Sequence, residues 1–291
     1  MDVLIQQVLN GTTIGVIYAL VALGLTLVYG VLRILHFAHG ATYAIGAYVA
    51  LAVTSAGGGL LLAILAAAGA AAVAGWLMER IAYRPLAKAN PIAPLIAGLG
   101  VYLVIQDGLR IAGGPYTVAL PAASPFGALR FSAFVLTGSQ ILIILVGATL
   151  MIATQLLLTR TSLGLQMRAV ASRREIAAAV GIDVNRVVGA TFLAGSALAG
   201  TAGVLVALNF NAVYPSMGLE VVLKSFAVVV VGGLGSVSGA LLTSLLLGIS
   251  ESLIEGFLTL PIGRDEAAFV LLVIVLLIRP QGLFGRNVDR A

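Results

Sequence analysis

Of 291 residues, 60% are hydrophobic and 9% are charged, and the mean hydropathy is +1.12. Soluble domains carry roughly 25% charge, so a water-soluble fold is excluded; at about 20 residues per spanning helix the chain has room for eight to ten spans and no separate soluble domain. The net charge of +5 does not indicate a nucleic-acid binder, because the basic residues are scattered over short connections, as membrane topology requires.

The apolar runs are long and do not alternate, which selects helices over a transmembrane barrel. There is no cysteine, hence no disulfide and no thiolate metal site. No Lys or Arg precedes Arg33 and no small-residue cleavage site follows the first apolar run, so that run is expected to stay as a span. The expected fold is all-α: a polytopic membrane helical bundle of about 8–10 spans, some broken or re-entrant, forming one transmembrane domain over residues 1–291.

In chain order, the first span is expected from about Val8 to Tyr29, with Gly11 and Gly15 four apart as a close-packing face. The segment HFAHGATYAIGAYVALAV begins with His36 and His39 and is interrupted by Gly40 and Gly46, which suggests a broken or re-entrant start. Irregular backbone at membrane depth is tolerated only against protein or a water-filled cavity, so this segment is expected to line a pathway. The Ala-rich run from Leu60 to about Tyr83 is expected inside the bundle, and a fourth span covers Ile92 to about Ile111. Glycines and prolines between 113 and 137 deny that connection a long helix. Further spans follow from Ser139 to about Leu158 and from Val187 to about Leu208. Two apolar runs between Gly218 and Phe257 are separated by GGLGSVSGA, and a last span runs from about Glu266 to Ile278.

Arg160 to Arg186 stands apart, with seven charged side chains, five of them Arg. The positive-inside rule places it in the cytoplasm, and its Ala-rich part after Ser172 has helix-forming composition. It reads either as a membrane-surface helix or as a docking element for a soluble protein. Alternating outward from it gives an external N-terminus, a cytoplasmic C-terminus and nine passes. Twelve Lys or Arg then lie inside, three (Arg110, Arg130 and Arg264) outside, and Lys224 within a span. An apolar run, a Gly-rich break and a small-residue helix occur near Val28 to Ala50 and again near Val228 to Leu247, a pattern of transporter repeats.

Glu220 and Lys224, four apart, are expected to share a helical face and to pair, either as a structural ion pair or as a substrate contact. His36 and His39 have the spacing of metal ligands but no third ligand nearby, and are read as polar residues at a helix start. Glu251 and Glu255 are read as solvated carboxylates near the outer end of their span. A membrane hydrolase would need an activated nucleophile, and no serine motif supplies one; a stand-alone secondary transporter is a further alternative.

Taken together, YALVALGLTLVYGVLRILHFAHGATYAIGAYVA, RTSLGLQMRAVASRREIAAAVGI, KSFAVVVVGGLGSVSGALLTSLLLGISE and RPQGLFG resemble the permease subunits of branched-chain amino acid ABC transporters, the LivH type. His36 departs from the Asn common there. The resemblance implies one permease of an importer in a bacterial inner membrane, working with a second permease of the LivM type, two ATPase subunits and a periplasmic substrate-binding protein, with lipid around it and no nucleic acid. It implies a branched-chain substrate, with urea, short amides or aromatic acids as alternatives within the family. No G-x-x-x-x-G-K-[ST] occurs in the sequence, so this chain is expected to bind no cofactor and ATP to be handled by the partner subunits. The Arg160 to Arg186 loop resembles the ATPase-coupling helix, with Gly164, Arg168, Glu175, Ala178 and Gly181 as its candidate residues and the two glycines allowing the chain to turn at each end. His39, Gly40, Gly46, Glu220, Lys224, Gly233 and Gly235 are candidates for the translocation pathway.

Overall fold

The computed structural model describes residues 2–87, 90, 92–122, 124–131, 134–257, 270, 277, 279 and 282–284. Its first helix, α1 (Asp2–Leu32), has 31 residues, about 46 Å at 1.5 Å per residue. It forms the centre of the bundle with α8 (Val184–Phe210). Their most apolar stretches are 89% and 72% buried, against 17% for α4 (Ile92–Gly113) and 22% for α5 (Gly138–Arg160), which therefore form the rim.

Among the described residues, six helices are long and apolar enough to cross a membrane: α1, the Leu60–Tyr83 unit, α4, α5, α8 and α10 (Val237–Phe257). The chain is thus a multi-pass membrane protein. Two further apolar helices, α2 (His39–Ser55) and α9 (Met217–Gly232), have 17 and 16 residues. At about 25 Å each they fall short of a hydrocarbon core of ~30 Å. These two give the described residues eight hydrophobic passes; the expected ninth, Glu266 to Ile278, lies outside the described residues except for Val270 and Leu277, and Lys88 and Arg264 lie outside them too.

The short helices are held by backbone contact. A Cβ added to Gly40 of α2 would stand 2.5 Å from the Gly218 carbonyl oxygen at the start of α9, and one on Gly46 would run into the Gly200 backbone of α8. Gly11 and Gly15 do the same for α1 against α10, where a Cβ on Gly11 would lie 2.5 Å from the Ile249 Cα. In lipid no hydrophobic force draws helices together, so close approach of small residues takes its place. Gly40 and Gly46 therefore do not interrupt α2 as their sequence positions suggested. The break lies at 33–38, where Arg33 takes φ 54° after the end of α1. A second break at 233–236 separates α9 from α10, with Gly233 at φ 97° and Gly235 at φ 81°. The two breaks are neighbours: a Cβ on Gly235 would be 4.0 Å from the Gly30 Cα.

The Ala-rich α3 (Leu60–Met78), prolonged by a π-helical turn (Glu79–Tyr83), is not interior as expected. Its small side chains, Ala63, Ala67 and Ala71, form one stripe that is buried, while Leu61 and Leu65 on the other face are exposed at 71% and 62%. Small residues at one helical repeat give close packing on one side only.

Between α5 and α8 lie α6 (Ser162–Ser172) and α7 (Arg174–Ala179); this is the Arg-rich end of the bundle. Helix starts there are capped by side chains: Thr161 Oγ1 accepts from the Gly164 N–H at 3.0 Å, and Asp183 Oδ1 from the Arg186 N–H at 3.0 Å. At the opposite end, the 113–137 connection carries an antiparallel pair, β1 (Leu129–Arg130) with β2 (Val135–Leu136). It is tied down by a bridge from Val118 to Val213 and by the Asn211 side chain, which accepts from the Leu120 N–H at 3.0 Å.

Substituting glycines of differing surroundings tests this packing. Gly46→Leu is expected to lower stability by about 1–3 kcal/mol or more through overpacking. Gly235→Leu should cost ~1–2 kcal/mol through its left-handed backbone. Gly69, with nothing within 4 Å of an added Cβ, should accept Leu without loss. Thermal unfolding in detergent measures all three, and equal tolerance would contradict the packing described.

Candidate functional site

The candidate residues separate into three places. At the Arg-rich end, α6 and α7 replace the single helix expected after Ser172. The longer helix precedes Ser172, because Met167 and Val170 bury one face of α6 against the bundle while Arg168 stays exposed on the other. Gly164 does not turn the chain: it lies inside the first turn of α6, where a Cβ would meet the carbonyls of Leu157 and Leu158. Gly181 does turn it, at φ 88°, with its N–H bonded to the Ala178 carbonyl at 3.0 Å. Ala177 is buried, so α7 offers Glu175, Ala178 and Ala179 outward. Ile176 and Val180 join them, exposed at 53% and 73%. Sequence reasoning missed these two apolar side chains. The Arg33 guanidinium donates to the Ala171 carbonyl at 3.4 Å and fastens this element to the end of α1.

The second place is a buried charge cluster. Lys224 makes a 3.2 Å ion pair with Glu251 of α10; the partner expected from spacing, Glu220, instead accepts from the Tyr214 hydroxyl at 3.3 Å. Lys224 also donates to the Tyr18 hydroxyl at 2.9 Å, and that hydroxyl donates to Glu251 at 2.9 Å. Helices α1, α9 and α10 thus each supply one member of a closed polar triangle. Glu251 is 0% exposed and not solvated as expected, because α1 lies across α10 at the Gly11 and Gly15 contacts and covers it. Glu255, one turn further, is exposed. Beside the triangle is a cavity of about 240 Å3 between α1, α2, the α8–α9 connection and α9. Tyr18, Tyr43, Tyr214, Glu220 and Lys224 supply its polar lining. Tyr18, Tyr43 and Tyr214 carried no motif, and only the fold brings them together.

The third place is the start of α2. His36 and His39 are both fully buried, with ring centroids 5.5 Å apart. His36 Nδ1 is 2.7 Å from the Tyr83 hydroxyl, and His39 donates from Nε2 to the Val21 carbonyl at 3.1 Å. The latter bond places the first residue of α2 about eleven residues up α1 from its end, well inside the bundle. Among the described residues no group of three or more His, Cys, Asp or Glu could hold a metal ion. Of the pathway candidates, Gly40 and Gly46 join His39 in the interior, and Glu220 and Lys224 line the cavity. Gly233 and Gly235 sit at the far end of α9, at the break beside α1.

Known proteins carry the same sequence pattern. The profile of the family described as "Branched-chain amino acid transport system / permease component" matches residues 7–279. The chain is 36% identical to the high-affinity branched-chain amino acid transport system permease protein BraD of Pseudomonas aeruginosa, over 97% of this chain and 96% of the relative. It is 36% identical over the same shares to the corresponding LivH of Escherichia coli (strain K12), and 29% identical to LivM of that organism over 93% of this chain and 68% of LivM. A chain of PsaBC from Streptococcus pneumoniae, solved in complex with a Fab, superposes with a TM-score of 0.50 at 14% identity, covering 92% of this chain and 89% of that one. At that identity the likeness is one of fold alone. With the family profile matched over nearly its whole length and two full-length relatives at 36% identity, the chain belongs to the branched-chain amino acid transport system permease family.

Proposed function

We propose that this chain is one of two permease subunits of an ATP-driven importer that carries branched-chain amino acids across a bacterial inner membrane. The observation that carries the reading is the 36% identity, along nearly the full chain, to permeases named for high-affinity branched-chain amino acid transport. The weaker match to LivM supports a second, related permease as its partner. ATP is handled by two separate ATPase subunits, since no phosphate-binding loop occurs in the sequence, and a periplasmic binding protein delivers the substrate. The Lys and Arg bias supports an N-terminus facing outward and an Arg-rich end in the cytoplasm.

In this arrangement α6 and α7 receive the ATPase. Exposed Ile176 and Val180 with the exposed Arg174 and Glu175 of the same helix form a small apolar patch with a charged rim, the composition of a protein contact. Gly164 presses α6 onto the end of α5, and Gly181 lets the chain leave α7 toward α8, so both fix the patch on the bundle. A membrane-surface helix without partner would need neither the Arg33 tether nor the paired helices.

Two measurements check the proposal. In liposomes, labelled leucine is expected to enter only when the second permease, the ATPases, the binding protein and ATP are all present. Uptake by the lone chain would refute the dependence on ATPases, and energised uptake of urea or an aromatic acid but not leucine would overturn the substrate. Separately, Gly181→Val places a β-branched residue where a left-handed backbone costs ~1–2 kcal/mol. It should reduce transport and ATPase attachment while leucine capture by the binding protein stays intact. Full transport with residues 174–179 replaced by a Gly/Ser linker would remove the coupling role.

A further inference from the structure

The cavity beside α9 presents opposite charges to one small solute, and we propose that it is a transit site for a free α-amino acid in its zwitterionic form. The ammonium group is held at Glu220 and the carboxylate at Lys224. The proposal rests on the permease reading above and gives it a substrate site within this chain.

Glu220 and Lys224 both line the cavity and stand one helical turn apart on α9, so their Cβ atoms are about 5–6 Å from each other. The two charges of an α-amino acid are carried on one carbon, so a single molecule can face both residues. Glu220 is exposed at the mouth, whereas Lys224 is 8% exposed within. Ile14, Ile17, Val206 and Val221 form apolar walls for a side chain. At about 240 Å3 the space is below the ~300–1,000 Å3 of pockets for drug-sized ligands, as suits a small solute.

Stability alone gives no reason for a lysine here. A charge at the centre of a span costs on the order of 3 kcal/mol, and buried ion pairs can often be replaced by apolar residues without loss. The Tyr18 hydroxyl accepts from Lys224 and donates to Glu251, and Glu251 stands 3.2 Å from Lys224, so the cluster gives the lysine polar partners within an apolar bundle. A lysine ammonium has three donors and can exchange acceptors in place, taking a solute carboxylate against Glu251 and Tyr18. Glu220 draws in an ammonium group and repels solutes that are only anionic, while a neutral solute such as urea offers hydrogen bonds but no opposite charge to either residue.

The test uses the whole importer. Binding of labelled leucine to the detergent-purified complex without binding protein should fall about tenfold in Glu220→Gln, the loss of one charge-assisted contact, with complex assembly unchanged. Lys224→Met alone strands Glu251 without its counter-charge and is expected to misfold; Lys224→Met with Glu251→Gln removes both charges, and should assemble but lose leucine binding and uptake. Leucine should be displaced by other zwitterionic amino acids, and far less by leucinamide or 4-methylpentanoate, which carry one charge each. Wild-type binding in both variants, or equal displacement by the singly charged analogues, would overturn the site. A wild-type complex that transports urea and not leucine would instead overturn the reading on which the site rests, and uptake by the wild type in the same assay separates the two failures.

Discussion

Backbone lies directly on backbone where the central helices meet, and the rest of the architecture depends on it. Within a bilayer, apolar side chains are as well solvated by lipid as by each other, so helices adhere through close packing and polar contacts. Gly40 against Gly218, Gly46 against Gly200 and Gly11 against Gly248 and Ile249 bring helix axes nearer than any side chain would allow. Held this way, α2 and α9 need not span the membrane. The first break leads into the start of α2 inside the protein, where His36, Ala38 and His39 are fully buried and so shielded from lipid.

The same proximity makes a buried charge tolerable. With α1 pressed onto α10, Tyr18 reaches Glu251, and Lys224 of α9 completes the triangle. Helix α9 therefore has two distinct ends, about 24 Å apart by its 16 residues. The half that starts at Met217 carries Glu220 and Lys224 at the cavity, and the other end runs into the break where Gly235 lies beside Gly30 of α1. Because Arg33 at that end of α1 is bonded to Ala171 of α6, an unbroken chain of contacts runs from the exposed α6–α7 face through α1 and α9 to the cavity.

Much of this was legible in the sequence because lipid imposes simple rules. Long apolar runs located the spans, and Gly11 and Gly15 at a spacing of four announced a packing face that the structure fills with α10. The Arg-rich segment could only lie outside the hydrocarbon. What could not be read was how one helix covers another. Glu251 sits near the end of its helix in sequence, and only the crossing of α1 buries it. Lys224 had a partner available at Glu220 by spacing alone, whereas the fold offers Glu251 across the bundle. Gly164 looked like a turn because glycine both turns chains and admits close neighbours. Its contact with the last turn of α5 selects the second role.

The most direct test of coupling between the Arg-rich face and the cavity exploits the absence of native cysteine. Val221→Cys places one thiol in the cavity wall. In the assembled importer, its reaction rate with a membrane-impermeant thiol reagent added on the side of the N-terminus should differ between the resting complex and the complex trapped during ATP hydrolysis. Removing α7 should abolish that difference. An identical rate in both states with α7 intact would contradict the account.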